Sequence, residues 1–191
     1  MATIKGSETE KNLLKAFAGE SQARNRYMLF ALQAQKDGFE QIAAIFEETA
    51  NQEVEHARRF FSFLEGGDLE ITAAYPAGIV GSTGANLKAS AGGEHEEWAI
   101  VYPKFAEIAV AEGFKNIGKV FEFVATAEKQ HEDRYLALLK NVEQSLVFER
   151  KEEVLWRCRR CCYTVKGTKA PVGCPTCGAT QAHFELFVPN Y

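Results

Sequence analysis

Two copies of a Glu-x-x-His motif are the residues of this chain with the clearest capacity for chemistry. Glu53 and His56 form the first copy, and Glu128 and His131 form the second. Residues three apart lie on one face of an α-helix, so each copy presents a carboxylate and an imidazole together. Apolar residues surround both copies, and burying several carboxylates requires compensating positive charge. The motifs therefore predict a metal site inside a helical core.

Three further glutamates supply the remaining donors of a two-metal site. Glu20 lies in the segment KAFAGESQARNRY, and Glu94 and Glu97 lie in SAGGEHEEWAIVY. One Glu from each of two helices, with Glu-x-x-His from each of two others, is the ligand pattern of di-iron and di-manganese bundles. A single Glu-x-x-His is usually solvent-exposed, whereas two copies with these partners indicate metal binding. His95 and Glu96 are predicted to lie outside the metal-binding face.

Four cysteines near the C-terminus predict a second metal site. Two Cys-x-x-Cys pairs with twelve residues between them bring four thiolates into a tetrahedron that suits iron or zinc. The four are Cys158, Cys161, Cys174 and Cys177. Nearby aromatic residues such as Trp156, together with a Cys-Pro dipeptide, favour rubredoxin-type iron over a zinc ribbon. Cys162 is an additional thiol that is not expected to be a ligand.

Long helices must position the glutamates and histidines. Of the 26 acidic residues 23 are Glu, which favours helices, and Pro, which breaks them, is absent before Pro76. A capping pattern at Ser7 and Glu10 begins the first helix. Apolar spacing predicts helices over about 13–32, to about 65, over 82–112 and over 114–145, joined by a long connection at 66–81. Short, long and short connections indicate a four-helix bundle with one crossover.

The helical part of the chain repeats itself. Shifted by 75 residues, segments 37–64 and 112–139 share ten identical pairs, which indicates two helix hairpins related by a pseudo-twofold axis. The same shift pairs Tyr27 with Tyr102 but Glu20 with His95, one residue beyond Glu94. One extra residue between Glu94 and Tyr102 predicts a π-bulge, the alternative being a shifted helix without one.

Composition bounds the domain organisation and the class of function. All five cysteines lie in the last 34 residues, which predicts two domains, 1–150 and 151–191. The net charge of −4 argues against a nucleic-acid binder. No uncharged apolar run reaches the roughly 18 residues of a membrane span. The N-terminal segment lacks the apolar stretch of a signal peptide, so we expect a cytoplasmic protein that does not bind membranes.

The motifs together resemble the rubrerythrin family over essentially the whole chain. The resemblance is carried by GESQARNRY, the two Glu-x-x-His copies, the Glu94-x-x-Glu97 pair and the two Cys-x-x-Cys pairs. It implies a mainly α fold, a ferritin-like four-helix bundle with one long crossover followed by a small rubredoxin-like β/loop domain. It also implies a non-haem di-iron peroxidase that reduces hydrogen peroxide to water and protects the cell from oxidative stress.

The resemblance implies a role for each candidate residue. The bundle iron ligands would be Glu20, Glu53, Glu94, Glu97, Glu128 and His131, with His56 as an alternative ligand. Tyr27 and Tyr102 would donate hydrogen bonds beside the iron pair, and together with Glu97 and His56 they are the expected catalytic residues. The four paired cysteines would hold a single iron. The chain departs from the family at Cys162, where rubredoxin-type pairs usually continue with Gly.

Charge counting predicts a ligand exchange at one iron. The five glutamates among these ligands bring −5 against +6 on two ferric ions, but against +4 on two ferrous ions they leave an excess of about −1, which is costly in a low-dielectric core. Exchanging Glu97 for neutral His56 on reduction would remove that excess. We therefore expect one iron to be held by Glu97 when oxidised and by His56 when reduced, in line with the resemblance.

The resemblance also implies electron-donating partners and a homodimer or higher homo-oligomer. A reductase that uses NAD(P)H, or a rubredoxin, would supply electrons through the cysteine-bound iron. Residues 154–191 carry a formal +4 and residues 1–153 carry −8, which favours docking of the tail on the bundle of another subunit. Five of the glutamates are expected to be neutralised by iron, so this attraction is modest. Two alternatives remain at this point: a ferroxidase or iron-storage protein, and a non-enzymatic zinc-ribbon interaction protein.

Overall fold

The computed structural model describes residues 3–190 and confirms the mainly α fold with a small C-terminal strand domain. The helices are α1 (Glu8–Lys36), α2 (Glu40–Phe61), α3 (Thr83–Glu96), α4 (Tyr102–Ala111) and α5 (Lys115–Glu143), with a π-helical segment, Glu97–Val101, between α3 and α4. The strands are β1 (Glu149–Cys158), β2 (Thr164–Lys169) and β3 (Phe184–Leu186). Because α3, the π segment and α4 are continuous, they form one long helix of a four-helix bundle.

The two helix hairpins are built alike. α1 and α4 each end at a glycine in the left-handed region, Gly38 at φ +84° and Gly113 at φ +90°. After each glycine, a backbone N–H returns to the helix it has just left, from Phe39 to the carbonyl of Ala34 at 2.8 Å and from residue 114 to that of residue 109 at 2.7 Å. The aligned segments 37–64 and 112–139 therefore both begin at a hairpin turn.

A carboxylate at each hairpin turn caps a helix of the other hairpin. Asp37 accepts hydrogen bonds from the Thr83 backbone N–H at 2.9 Å and from its hydroxyl at 2.6 Å, at the start of α3. Glu112 accepts from the Glu8 N–H at 3.0 Å and from the Thr9 N–H at 2.8 Å, at the start of α1. Negative charge is favourable at a helix N-terminus, so these contacts join the two hairpins reciprocally.

The predicted bulge is confirmed at the π segment. The Tyr102 N–H bonds to the carbonyl of Glu97, five residues back, which is the π-helical spacing. The repeat therefore runs at a shift of 74 residues before the bulge, where Glu20 pairs with Glu94, and at 75 after it, where Tyr27 pairs with Tyr102. One inserted residue keeps both pairs in equivalent positions.

Two apolar clusters fill the bundle and leave a polar layer between them. One contains the ring pair Phe46 and Tyr135, with centroids 5.2 Å apart, and the other contains Phe60 and Phe121, 5.0 Å apart. Along α2, Glu53 lies between Phe46 and Phe60. The side chains of the predicted metal site therefore come from the middle of the bundle, away from either end.

The strand domain packs against one end of the bundle. Its sheet has the order β2-β1-β3 with antiparallel pairing, and Trp156 is fully buried in its core. Phe148 stacks on Phe39 at 6.0 Å, and His183 approaches Glu40 at 3.8 Å, at the start of α2. The division of the chain at residue 150 remains a prediction. None of the helices within residues 3–190 is long and apolar enough to cross a bilayer.

Replacing Glu112 with Ala should destabilise the protein by about 1 kcal/mol at neutral pH, because the Glu8 and Thr9 N–H groups at the start of α1 lose their acceptor. The hydrogen bonds from Thr9 and the Glu8 backbone lower the pKa of Glu112 below its ordinary value of 4.5. A carboxylate with a lowered pKa stabilises the fold above its ordinary pKa, and that contribution is lost as the pH falls through the folded value. The difference between variant and parent should therefore begin to shrink as the pH falls through 4.5 and should vanish only below the lower folded pKa.

Thermal unfolding across this pH range measures the effect, with an expected shift of about 3 °C at pH 7. Glu107, an exposed residue of α4, the helix that ends beside Glu112, offers the matched control Glu107→Ala. Equal melting temperatures for Glu112→Ala and Glu107→Ala at pH 7 would contradict the capping role.

Candidate metal centres

Two carboxylates at the centre of the bundle each face two histidines. Nδ1 of His56 lies 2.8 Å from Oε1 of Glu128 and 2.9 Å from Oε2 of Glu53. Nδ1 of His131 lies 2.8 Å from Oε2 of Glu128 and 3.2 Å from Oε1 of Glu53. The two oxygens of each glutamate therefore point to different histidines, which is the arrangement of carboxylates that bridge two metal ions.

One further glutamate completes each half of the site. Glu20 lies 3.9 Å from Nδ1 of His56, and Glu94 lies 3.9 Å from Nδ1 of His131. Each half thus has four donor groups whose ligand atoms lie within 4.8 Å of one another. The halves are Glu20, Glu53, His56 and Glu128, and Glu53, Glu94, Glu128 and His131. Oxygen and imidazole donors in such a set suit iron.

The carboxylates are buried without enough protein partners. Glu20, Glu53, Glu94 and Glu128 are each no more than 1% exposed. Oε2 of Glu20 and of Glu94 has no hydrogen-bond donor among the described residues, and the two oxygens of Glu128 face only histidine nitrogens. Buried polar groups without partners are strongly destabilising, and metal cations would satisfy these oxygens. The side chains therefore fit a pair of iron ions.

In the absence of metal, protons compensate for the buried charge. Burial, reinforced by the charge of Glu128, raises the pKa of Glu20 well above its usual range, and burial does the same for Glu94. Burial alone would lower the pKa of His56, but hydrogen bonds to Glu128 and Glu53 raise it to about 10. Iron requires deprotonated ligands, so iron binding must displace these protons.

Tyrosines hold the two outer glutamates in place. The Tyr27 hydroxyl donates to Oε1 of Glu94 at 2.6 Å, and the Tyr102 hydroxyl donates to Oε1 of Glu20. Both tyrosines are only 1% exposed. Hydrogen bonds of this kind orient metal ligands and tune their basicity.

Glu97 lies apart from the donor groups. Its carboxylate belongs to neither four-group set, whereas His56 belongs to one. Glu97 is also only partly buried, and it lines a cavity between α1 and the crossover. Of the two residues expected to alternate as ligands, His56 therefore lies among the donor groups and Glu97 does not.

Sequence reasoning missed the side chains that orient His131. Nε2 of His131 lies 3.0 Å from Oε1 of Gln52, and Nη2 of Arg134 donates to the same oxygen at 3.1 Å. Gln52 precedes Glu53 in the chain, and no spacing rule distinguishes it from other polar residues of α2. His95 lies outside the metal site as predicted, with Nδ1 3.0 Å from Glu132.

The four paired cysteines form one cluster in the strand domain. Sγ of Cys158 lies 3.8 Å from that of Cys177, Sγ of Cys161 lies 3.5 Å from that of Cys174, and all four lie within 4.8 Å. The residue after each pair closes a tight turn, with the Cys162 N–H on the Cys158 carbonyl at 2.8 Å and the equivalent bond from residue 178 at 2.9 Å. Four thiolates at this separation fit one iron.

Comparisons with known proteins agree with both centres. The family model described as Rubrerythrin matches residues 11–139, and the one described as Rubrerythrin, rubredoxin-like domain, matches residues 156–185. The chain is 61% identical to a rubrerythrin of Porphyromonas gingivalis, covering 99% of this chain and 94% of the relative. The chain belongs to the rubrerythrin family.

Two further similarities extend over nearly the whole chain. A rubrerythrin of Nitratidesulfovibrio vulgaris is 57% identical over 191 residues, covering all of both chains. The solved structure of fully reduced, all-ferrous nigerythrin is 31% identical, with a TM-score of 0.63, and the match covers 97% of this chain and 92% of that one. As in other rubrerythrins, the bundle site is a di-iron site of carboxylates and histidines, and the four cysteines form a rubredoxin-like iron site.

Replacing Cys162 with Gly should stabilise the cysteine site by about 1 kcal/mol, because Cys162 adopts φ +65°, a left-handed conformation that favours glycine. Gly178 occupies the equivalent position of the second pair at φ +72°. Chemical denaturation of the iron-loaded protein, followed at the ferric-thiolate absorption, measures the difference.

The matched variant Cys162→Ala removes the thiol and retains the strained conformation. Its stability should stay within about 0.5 kcal/mol of the parent, and the absorption spectrum should be the same in all three proteins. A stabilised Cys162→Ala, or a spectrum that changes when the thiol is removed, would contradict a purely conformational effect.

Proposed function

We propose that this protein is a peroxidase that reduces hydrogen peroxide to water with electrons delivered through the cysteine-bound iron. The observation that carries the proposal is the presence of two different redox sites in one chain: a buried two-metal donor set and a four-thiolate cluster. When bound, the iron pair supplies two electrons together, and the cysteine-bound iron supplies them singly. Hydrogen peroxide takes up two electrons and two protons and leaves as two waters.

The residues of the bundle have distinct tasks in this reaction. Glu53 and Glu128 face both metal positions and hold them next to each other. Tyr27 fixes Glu94 through its hydroxyl, and Tyr102 fixes Glu20. The apolar clusters on either side exclude water, so that the reacting groups lie in a low-dielectric environment where charge interactions are strong.

Glu97 and His56 are proposed to alternate as ligands of the same metal position. His56 lies within hydrogen-bonding distance of Glu53 and Glu128, while Glu97 is withdrawn toward a cavity. This supports a reduced state with neutral His56 as ligand and an oxidised state with the Glu97 carboxylate. The carboxylate that leaves is then free to exchange protons with the substrate.

Electron transfer is proposed to run between subunits of a head-to-tail homodimer. Within one chain, the strand domain contacts Glu40 at the start of α2, and His56 lies sixteen residues further along that helix. At 1.5 Å per residue, this is a separation of about 24 Å. A partner subunit's tail could approach the iron pair more closely. We propose an NAD(P)H-dependent reductase or a rubredoxin as the electron donor, acting in the cytoplasm.

A ferroxidase or iron-storage role is the second candidate, because the bundle alone is ferritin-like. The cysteine cluster argues against it, since iron oxidation for storage does not require a second redox site. A zinc-ribbon interaction protein would leave the buried carboxylates of the bundle without a purpose. These alternatives can be distinguished from a peroxidase by whether the protein consumes hydrogen peroxide and by how much iron it retains.

Anaerobic reduction of the iron-loaded protein, followed by stoichiometric hydrogen peroxide, tests the peroxidase function. One molecule of peroxide should reoxidise one iron pair, as followed at the ferric absorption of both sites. In Cys174→Ser this first reoxidation should persist, while steady-state turnover with an electron donor falls about tenfold or more, because re-reduction is lost. In His56→Ala turnover should slow while ferric iron stays bound, because Glu97 remains as its ligand.

Two results would count against this function. Reduced protein that does not react with hydrogen peroxide would contradict the peroxidase function directly. Uptake of many irons per chain, with slow peroxide consumption, would favour the storage role. Ferric iron lost from His56→Ala, or unchanged turnover in that variant, would remove the proposed ligand exchange alone.

Mixing two inactive full-length variants tests transfer between subunits. Cys174→Ser lacks an intact cysteine site, and Glu53→Ala lacks an intact di-iron site. Each variant alone should therefore have at most about one tenth of the parent's steady-state activity. After mixing and subunit exchange, about one quarter of the parent activity should return, because half of the dimers are mixed and each has one complete pair. No recovery in mixtures proven to contain mixed dimers would remove the proposed inter-subunit route.

A further inference from the structure

A cavity beside the di-iron site has no part in the function proposed so far. It has a volume of about 250 Å³ and lies between α1, the α3–π segment and residues 72–76 of the crossover. Glu97 and Tyr102 line it, and the Tyr102 hydroxyl donates to Glu20, so its inner end lies one side chain away from the donor groups. His56 and His131 line a different cavity, between α2 and α5, and Glu20 and Glu53 line a third, between α1 and α2. The metal site can thus be approached from three sides of the bundle.

Both helical walls of this cavity carry a glycine. A methyl group at Gly19 would lie 3.6 Å from Cε1 of Tyr75 and 3.9 Å from Oε1 of Glu97, which is ordinary contact and no clash. Gly93 lines the opposite wall in the equivalent position of the repeat. Neither glycine has a positive φ, and alanine is favoured over glycine in a helix interior. What Gly19 provides is therefore open space between Tyr75 and Glu97.

The crossover closes this space through Tyr75. The Tyr75 hydroxyl donates to the Lys15 carbonyl at 2.6 Å. Across the described part of the chain, this is the only hydrogen bond between residues 66–80 and the helices. A segment held by so few contacts opens at low free-energy cost. Tyr75 is thus placed to cover the cavity and to move aside.

The lining of the cavity suits a hydroperoxide. The Glu97 carboxylate accepts hydrogen bonds, and the Arg26 guanidinium donates them; the buried Nε of Arg26 has no partner among the described residues. A hydroperoxide has both an O–H donor and oxygen acceptors, so it matches this pair. Val101 and Phe105 supply apolar surface on the same wall, against which a small alkyl group would pack.

We propose that this cavity is the passage by which hydroperoxides reach the di-iron site, and that Gly19 and Tyr75 limit the size of hydroperoxide admitted. The inference rests on the peroxidase function proposed above. In the reaction, the O–O bond breaks, two electrons come from the reduced iron pair, two protons are taken up, and the products are an alcohol or water and one further water. The rival passage lies between α2 and α5, beside Ala127.

Single-turnover reoxidation of the pre-reduced holoprotein tests the passage without involving electron supply. The measured quantity is the second-order rate constant with hydrogen peroxide and with tert-butyl hydroperoxide. Gly19→Leu should lower it about tenfold for hydrogen peroxide and further for the larger substrate, because the side chain fills the space. Tyr75→Ala should raise the ratio of the tert-butyl hydroperoxide rate to the hydrogen peroxide rate about tenfold, because the cover is removed.

Matched variants separate the passage from general damage. Gly92 lies in α3 with open space around it, so Gly92→Leu should leave both rate constants unchanged. Ala127→Leu places a leucine at the rival passage and should also leave them unchanged. As a readout independent of activity, Gly19→Ala should raise the melting temperature by about 3 °C, because glycine is not required by the fold.

Distinct results would overturn the passage and the underlying function. Slowing by Ala127→Leu with parent-like rates in Gly19→Leu would assign the route to the other side. An unchanged rate ratio in Tyr75→Ala would contradict the role of Tyr75 in limiting substrate size. This measurement remains decisive even if Gly19→Leu fails to bind iron. Parent protein that neither peroxide reoxidises would overturn the peroxidase function, and the passage with it.

Discussion

Burial of carboxylates in the middle of a helical bundle is the constraint on which the rest of this structure depends. Glu20, Glu53, Glu94 and Glu128 lie between two apolar clusters, where unpaired negative charge is prohibitive. Protons compensate for part of this charge when metal is absent, and two metal ions placed among the four carboxylates compensate for it while satisfying their oxygens. The aromatic clusters above and below stiffen the helices and keep the donors together in a dry layer.

The internal symmetry explains how such a site is assembled from one repeated unit, and the break in symmetry explains its chemistry. At the shift of 74 residues, Glu97 corresponds to Ala23, which is buried and apolar. One half of the repeat therefore carries a carboxylate for which the other half has no counterpart. The π-bulge directly follows Glu97 and returns Tyr102 to register with Tyr27. The inserted residue allows an extra acidic group without misaligning the tyrosines.

The donor residues of both sites could be predicted from sequence, because spacing on a helix fixes which side chains share a face. The bulge could also be predicted, since two registers of one repeat differ by a residue. The withdrawn position of Glu97 could not, because spacing assigns a face and does not determine a side-chain rotamer. Tyr75 could not be predicted either: the crossover has no periodicity, and its contact with Lys15 joins residues sixty positions apart.

Access to the metal site follows from how unevenly the helices pack. α1 packs closely on α2, and α3 and α4 pack closely on α5, whereas the contacts between the two hairpins are sparse. The site is therefore open at the two seams between the hairpins, between α1 and α3 and between α2 and α5, and a further cavity lined by Glu20 and Glu53 lies between α1 and α2. Because Glu97 lies at one seam and the two histidines lie at the other, filling one of these openings leaves the other unobstructed.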